Sequence, residues 1–242
     1  MGSAPAWCYR LAKPFSAGGR SAFLEAKSLA KEGVKAQQRE HLFCQGTHKN
    51  RHVAITFNDG PNPEVTPGIL KALKAHDVPA TFFLIGREAL SHVTLAKRLV
   101  KEGHEVGNHT MNHVKCSEEP ERELFRQIQD AQDAIRFASG EEARWFRPPY
   151  GDFDEAQMHL PSRSGLSTVF WTSKVKDWEK DDADAIIKQV KAGLAPGAIF
   201  SLHEKRSCVG DAMGGILEAI KAADLKPVTL SQMFAQEQPK FR

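Results

Sequence analysis

The sequence predicts an α/β fold, an irregular (β/α)7-type barrel with an N-terminal extension, and three observations carry that expectation. Short runs of β-branched and aromatic residues alternate with amphipathic helical patterns from about residue 50 onward, the rhythm of βαβ units around a parallel sheet. Seven such runs can be read. Asp59, Arg147, Asp177 and His203, residues with chemical reach, fall at or just beyond the C-terminal ends of these runs. In parallel α/β folds the loops at that edge converge on one mouth, where ligands bind.

Taken in order, residues 1–50 carry no chemical motif and read as an extension. A helix is expected over residues 21–38 with Ser21 as cap, and Gly18-Gly19 and Gln45-Gly46-Thr47 read as linkers. The domain proper is expected to span 51–236, with 237–242 as a tail. Residues 53–57 form the first expected strand. Thr66-Pro67 then opens a helix to Ala75, with Thr66 as cap and Pro67 at the first helical position. Strands follow over 80–85 and 104–107. Glu118-Glu119 leads into a long helix to Phe137, with apolar residues at Leu124, Ile128, Ala131 and Ile135. The remaining strands are expected over 143–146, 168–172, 198–202 and 226–229.

Composition limits the partners. The chain has 242 residues, 41% of them hydrophobic and 26% charged, and a net charge of +3 with both signs interspersed. It therefore lacks the clustered basic footprint of a nucleic-acid binder. Apolar runs such as Val169-Phe170-Trp171 are far shorter than the roughly 20 residues of a membrane-spanning helix. The N-terminus shows no basic region followed by a long apolar stretch, so no export signal is read from it, and Ala6 stands where a myristoylation pattern wants Ser or Thr. Cys8, Cys44, Cys116 and Cys208 lack the paired spacing of a zinc-thiolate site. They are compatible with thiols or with one or two disulfides, a Cys44–Cys208 bridge among them.

The chemistry lies in five short segments. Asp59 within Thr56-Phe57-Asn58-Asp59-Gly60-Pro61 offers a carboxylate, and His109 and His113 within His109-Thr110-Met111-Asn112-His113 offer two imidazoles. At spacing i, i+4 the two histidines would share one face of a helical turn, which completes the three protein ligands of a catalytic divalent-metal site. Taken alone, H-x-x-x-H more often marks two surface histidines, and only the other segments reverse that. Those segments are Arg147-Pro148-Pro149-Tyr150-Gly151, Asp177-Trp178 and Ser201-Leu202-His203. Arg147-Pro148-Pro149 also fits a rigid strand exit, Trp178 a core residue and His203 a loop histidine. Their coincidence in order carries the catalytic reading.

Together the five segments, spread over about residues 50–235, resemble the polysaccharide deacetylases, also called carbohydrate esterase family 4 or the NodB-homology domain. The resemblance implies that Asp59, His109 and His113 bind one divalent ion, Zn²⁺ or Co²⁺ or similar, for hydrolytic N-deacetylation of an N-acetylglucosamine polymer such as chitin or peptidoglycan. It further implies that His203 is the general acid, that Asp177 fixes its tautomer and favours its charged form, and that Arg147 orients the base. The Tyr150 amide would stabilise the oxyanion, while Trp178 and Leu202 would wall an acetyl pocket. The substrate class implies an extracellular or cell-wall location.

Two residues depart from the family pattern. Asn58 stands where the family usually has the Asp that acts as base, and Ser201 replaces the Leu that usually opens the fifth motif. An amide cannot take a proton from water near neutral pH, so metal binding is expected with weak or absent turnover. An engineered change, a natural loss of activity and a different base all accommodate Asn58. The alternatives to an impaired deacetylase are a catalytically silent glycan-binding domain and an O-acetyl xylan esterase sharing the same motifs.

Overall fold

In a computed structural model, which describes residues 42–179 and 181–235, the strands form one curled, wholly parallel sheet with helices on its outside. The strands are β1 (Leu42–Phe43), β2 (His52–Gly60), β3 (Thr81–Leu84), β4 (Glu105–Asn108), β5 (Trp145–Phe146), β6 (Ser167–Val169), β7 (Ser173–Lys174), β8 (Ile199–His203) and β9 (Lys226–Pro227). Their order is β1-β6-β5-β4-β3-β2-β8-β7, with β9 added to the start of β2. The expected α/β barrel class is therefore observed, with β6 and β7, consecutive in the chain, on opposite sides of the opening.

β2 is the axis of the sheet. Val53 to Phe57 are all buried, the continuous run expected of a strand covered on both faces. Its pairing with β8 sets Thr56 beside Ser201, Phe57 beside Leu202 and Asn58 beside His203. The first and fifth motifs are thus neighbours by register. Against β3 the register runs from Asn58↔Phe83 to Gly60↔Leu84, leaving Asp59 as a bulge residue with φ 73°. A bulge bends the strand and re-aims the extra side chain, here away from the sheet and toward the mouth.

The helices are α1 (Thr66–Ala75), α2 (Gly86–Ser91), α3 (Val93–Lys101), α4 (Glu121–Ser139), α5 (His159–Arg163), α6 (Ala183–Gly193), α7 (Cys208–Ala222) and α8 (Leu230–Met233). α4 buries Leu124, Ile128, Ala131 and Ile135, the stripe read from its periodicity, but it begins after Pro120 because residues 116–118 form a separate tight turn. Beneath the sheet, Phe57 stacks on Phe82 with ring centroids 4.8 Å apart, and Phe43, Trp145 and Phe234 form an aromatic cluster. No helix among the described residues is long and apolar enough to cross a membrane.

Several expectations need correction. β1 and β7 escaped the sequence reading because two-residue strands leave no periodicity. β1 pairs Leu42 with Thr168 and Phe43 with Val169, and Gly46 N donates to Gly197 O at 2.9 Å. The sheet thus begins before residue 51. Thr66 is not the cap of α1: it lies inside the helix, and Val65 precedes it without a side-chain cap. The Thr66 hydroxyl instead accepts from Asn62 N and donates to Glu204. Cys44, Cys116 and Cys208 are buried thiols, and no Cys44–Cys208 bridge is formed. The helix expected over 21–38, Cys8 and the tail over 237–242 lie outside the described residues.

Candidate active site

Asp59, His109 and His113 meet at the mouth of the sheet, each offering one ligand atom, with these atoms within 4.8 Å of one another. Asp59 Oδ1 lies 3.3 Å from His109 Nε2 and 3.0 Å from His113 Nε2. The histidines do not share a helical turn, as their spacing suggested. Thr110 (φ 64°) and His113 (φ 59°) are left-handed, and residues 109–113 form an irregular loop. That loop is held by Asn108 Oδ1, which accepts from Thr110 N, and by Gln127 of α4, whose backbone and side-chain oxygens accept from Met111 N and Asn112 N. The long helix thereby holds the loop that carries both histidines.

The electrostatics of the triad suit a cation. His109 lies against the Arg147 carbonyl, Nδ1 to O at 2.6 Å, and a carbonyl can only accept, so Nδ1 carries the hydrogen. Burial lowers the His109 pKa to about 4 against the pull of Asp59, so the ring is neutral near pH 7 and Nε2 keeps its lone pair. Neither Asp59 oxygen has a conventional hydrogen-bond partner. A buried carboxylate facing an imidazole lone pair is a donor set for a divalent ion, so the residues fit the expected metal.

Across the mouth, Asp177 is buried and grips His203 twice: Oδ1 takes the Nδ1 hydrogen at 2.8 Å and Oδ2 accepts from the backbone N at 2.6 Å. This leaves His203 Nε2 as the ring's other nitrogen, with Trp178 edge-on at 4.9 Å. Arg147, at the end of β5, is wholly buried. Its guanidinium donates to Thr56 Oγ1 at 2.5 Å, Asn58 Oδ1 at 3.1 Å and the carbonyls of Val169 and Phe170, and it lies 4.1 Å over the Phe83 ring. Every one of these partners is neutral. Burial lowers the Arg147 pKa to about 9, and among the described residues no carboxylate pairs with it.

Residues 45–169 match the polysaccharide deacetylase family. The chain belongs to this family.

Among its relatives is a chitooligosaccharide deacetylase of Sinorhizobium fredii, 42% identical over 153 residues that cover 63% of this chain and 71% of that protein. A peptidoglycan N-acetylglucosamine deacetylase solved in complex with 4-naphthalen-1-yl-N-oxidanyl-benzamide superposes with a TM-score of 0.79 at 32% identity, over 85% of this chain and 97% of that one. A family 4 pseudoenzyme from Bacillus anthracis superposes with a TM-score of 0.76 at 26% identity, over 88% and 81%. The deacetylase fold therefore occurs both in deacetylases and in a protein described as a pseudoenzyme.

Within this deacetylase domain, the two departures from the family pattern touch each other. Asn58 Nδ2 donates to Ser201 Oγ at 2.9 Å and to Leu202 O at 2.8 Å, while Asn58 Oδ1 accepts from Arg147. Both amide hydrogens are committed, and the side chain is buried. Tyr150, left-handed at φ 63° and 50% exposed, sets its hydroxyl 3.2 Å from His113 Nδ1. Trp178 is half-buried, whereas Leu202 is wholly buried in β8.

Glu204 and Lys205, immediately after the fifth motif and in none of the five segments, also reach the site. Glu204 is buried against Gly60, where an added Cβ would fall 1.6 Å from Glu204 Oε2 and force that carboxyl to move. Burial, with Asp59 nearby, raises the Glu204 pKa to about 8 against the Thr66 hydrogen bond. Lys205 Nζ lies 2.8 Å from Asp59 Oδ2. Two charged residues directly after a strand-end histidine were the available signal for both.

Proposed function

We propose that this domain is a divalent-metal-dependent N-deacetylase of N-acetylglucosamine polymers, of chitin or peptidoglycan type, whose turnover is impaired by Asn58. The observation that carries the reading is the commitment of the Asn58 amide to Ser201, Leu202 and Arg147, beside a triad otherwise suited to a metal ion. Asp59, His109 and His113 would hold the ion, Zn²⁺ or Co²⁺. When bound, it supplies Lewis-acid polarisation of the scissile carbonyl and activation of water.

The chain's own groups act around that centre. Arg147 fixes the orientation of the side chain at position 58 and adds positive charge beneath it. His203, with its Nδ1 hydrogen held by Asp177, presents Nε2 to deliver a proton to the departing amine. Tyr150 offers an exposed ring beside His113 against which a sugar can lie, and its backbone N–H is the oxyanion donor. What is missing is a group to receive the proton of the attacking water, since an amide nitrogen has no basic lone pair.

A second reading, a silent glycan-binding domain, is favoured by the same closed hydrogen bonding at Asn58 and by the pseudoenzyme among its structural neighbours. Acetate release from chitin oligomers, peptidoglycan and acetylated xylan, with added Zn²⁺ or Co²⁺, tests both. The native chain is expected to be slow and Asn58→Asp fast on the N-acetylated substrates. Glycan binding without acetate release in either form would favour the silent domain, and preference for acetylated xylan would overturn the substrate class.

A further inference from the structure

Lys205 has no part in the chemistry above, yet its ammonium is in direct contact with a residue of the metal triad. The Asp59 side chain is only 5% exposed, and its two oxygens divide their neighbours: the imidazoles approach Oδ1, and Lys205 Nζ lies 2.8 Å from Oδ2. Two imidazoles and one ammonium therefore lie in direct contact with this carboxylate.

We propose that Lys205 is a displaceable counter-cation of Asp59, whose ammonium competes with the divalent ion for this carboxylate and so sets how tightly the triad holds metal. The inference rests on the metal-site reading given above and goes beyond it to the residue that tunes the site.

The two ends of Lys205 suit that task. Its backbone is anchored, because the preceding Glu204 N donates to Asn58 O at 2.9 Å and the Glu204 side chain is locked between Gly60 and Thr66. Its side chain is 52% exposed on a flexible four-carbon stem, so the ammonium can leave Asp59 without movement of the strand. A cavity of about 270 Å³ opens beside the triad, lined by Asp59, His113, Glu204 and Lys205 and also by Glu88. A divalent ion on Asp59 repels the ammonium, and this cavity, whose Glu88 carboxylate is already paired with Arg87 at 3.0 Å, gives it solvent-filled room to leave. Metal affinity is then reduced by the fraction of molecules in which Lys205 holds the carboxylate, as for any ligand whose competent state is partly populated.

The test is equilibrium binding of Zn²⁺ and Co²⁺ to the full chain, measured by competition with a chromophoric chelator and, for Co²⁺, by its visible absorption. Lys205→Met keeps the stem and removes the charge, and it should bind both ions more tightly, on the order of 10-fold. Lys205→Arg keeps a cation and should bind no more tightly than the native chain. Equal or weaker binding by Lys205→Met, with the native chain binding metal through Asp59, would overturn the role of Lys205 alone. Failure of native, Lys205→Met and Asp59→Asn forms alike to bind either ion would instead remove the metal-site reading, and this inference with it.

Discussion

Replacing Asn58 by Asp changes one atom type at the point where the site lacks a base, and the structure sets the size of the consequence. The introduced carboxylate would lie about where Asn58 Oδ1 now sits, 3.1 Å from Arg147 Nη1. At an effective dielectric of 20 that pair is worth about 5 kcal/mol of gross attraction, offset by several kcal/mol for removing the carboxylate from water. The bond to Leu202 O is also lost, since two acceptors then face each other where Asn58 Nδ2 now donates at 2.8 Å, while the Ser201 hydroxyl can rotate to donate. These terms nearly cancel, so folding stability should change by less than about 2 kcal/mol. The rate should change far more, because a positioned general base contributes about 10² to 10⁴, or about 3 to 5 kcal/mol of barrier. The assay is steady-state acetate release from chitin oligomers with saturating Zn²⁺ or Co²⁺, alongside denaturant unfolding of both forms. Equal kcat in two forms with equal metal content would refute the assignment of position 58 as the base position.

Three further outcomes are expected. In the Asn58→Asp background, Asp177→Asn should lower kcat by about 10² to 10⁴ with the metal still bound, because an amide cannot accept from both His203 Nδ1 and His203 N, as Asp177 now does. Ser201→Ala in the native chain removes one of the two acceptors of the buried Asn58 amide and should cost about 1 kcal/mol in unfolding free energy. The loss should largely vanish in an Asn58→Ala background. His104 is buried with Nε2 unpartnered, and burial lowers its pKa from 6.5 to about 4. A depressed folded-state pKa leaves its contribution intact above about pH 6.5 and removes it as pH falls toward 4. The native chain should therefore lose up to about 3 kcal/mol more than His104→Gln between pH 7 and pH 4, measured by urea unfolding.

Much of the fold was legible because long strands and helices write their burial into periodicity. β2 appears as a run of β-branched and aromatic residues and α4 as a stripe from Leu124 to Ile135, and both elements formed, α4 starting only after Pro120. β1 and β7 were not legible: two residues show no period, and their place comes from pairing with β6 and β8. Thr66 shows the limit of local rules. Its type and the following proline fit a cap, but its hydroxyl is taken by Glu204, 138 positions away. His109 and His113 were rightly paired for a reason that does not operate here, since a loop with two left-handed residues joins them rather than a helical turn.

The sequence by itself determined the family, the parallel α/β class and the candidate ligands, because those follow from which residue types occur, in what order and at what spacing. It also showed that Asn58 and Ser201 were unusual, as two separate oddities. Only the tertiary structure decided that they are one feature, two side chains joined across the β2–β8 register in a closed hydrogen-bond set that leaves Arg147 without a carboxylate. It likewise brought Lys205 onto Asp59. The physical reason is common to both. Hydrogen bonds and ion pairs act over about 3 Å in space, and strand register and bulges, unlike local pattern, bring residues nearly 150 positions apart within that range.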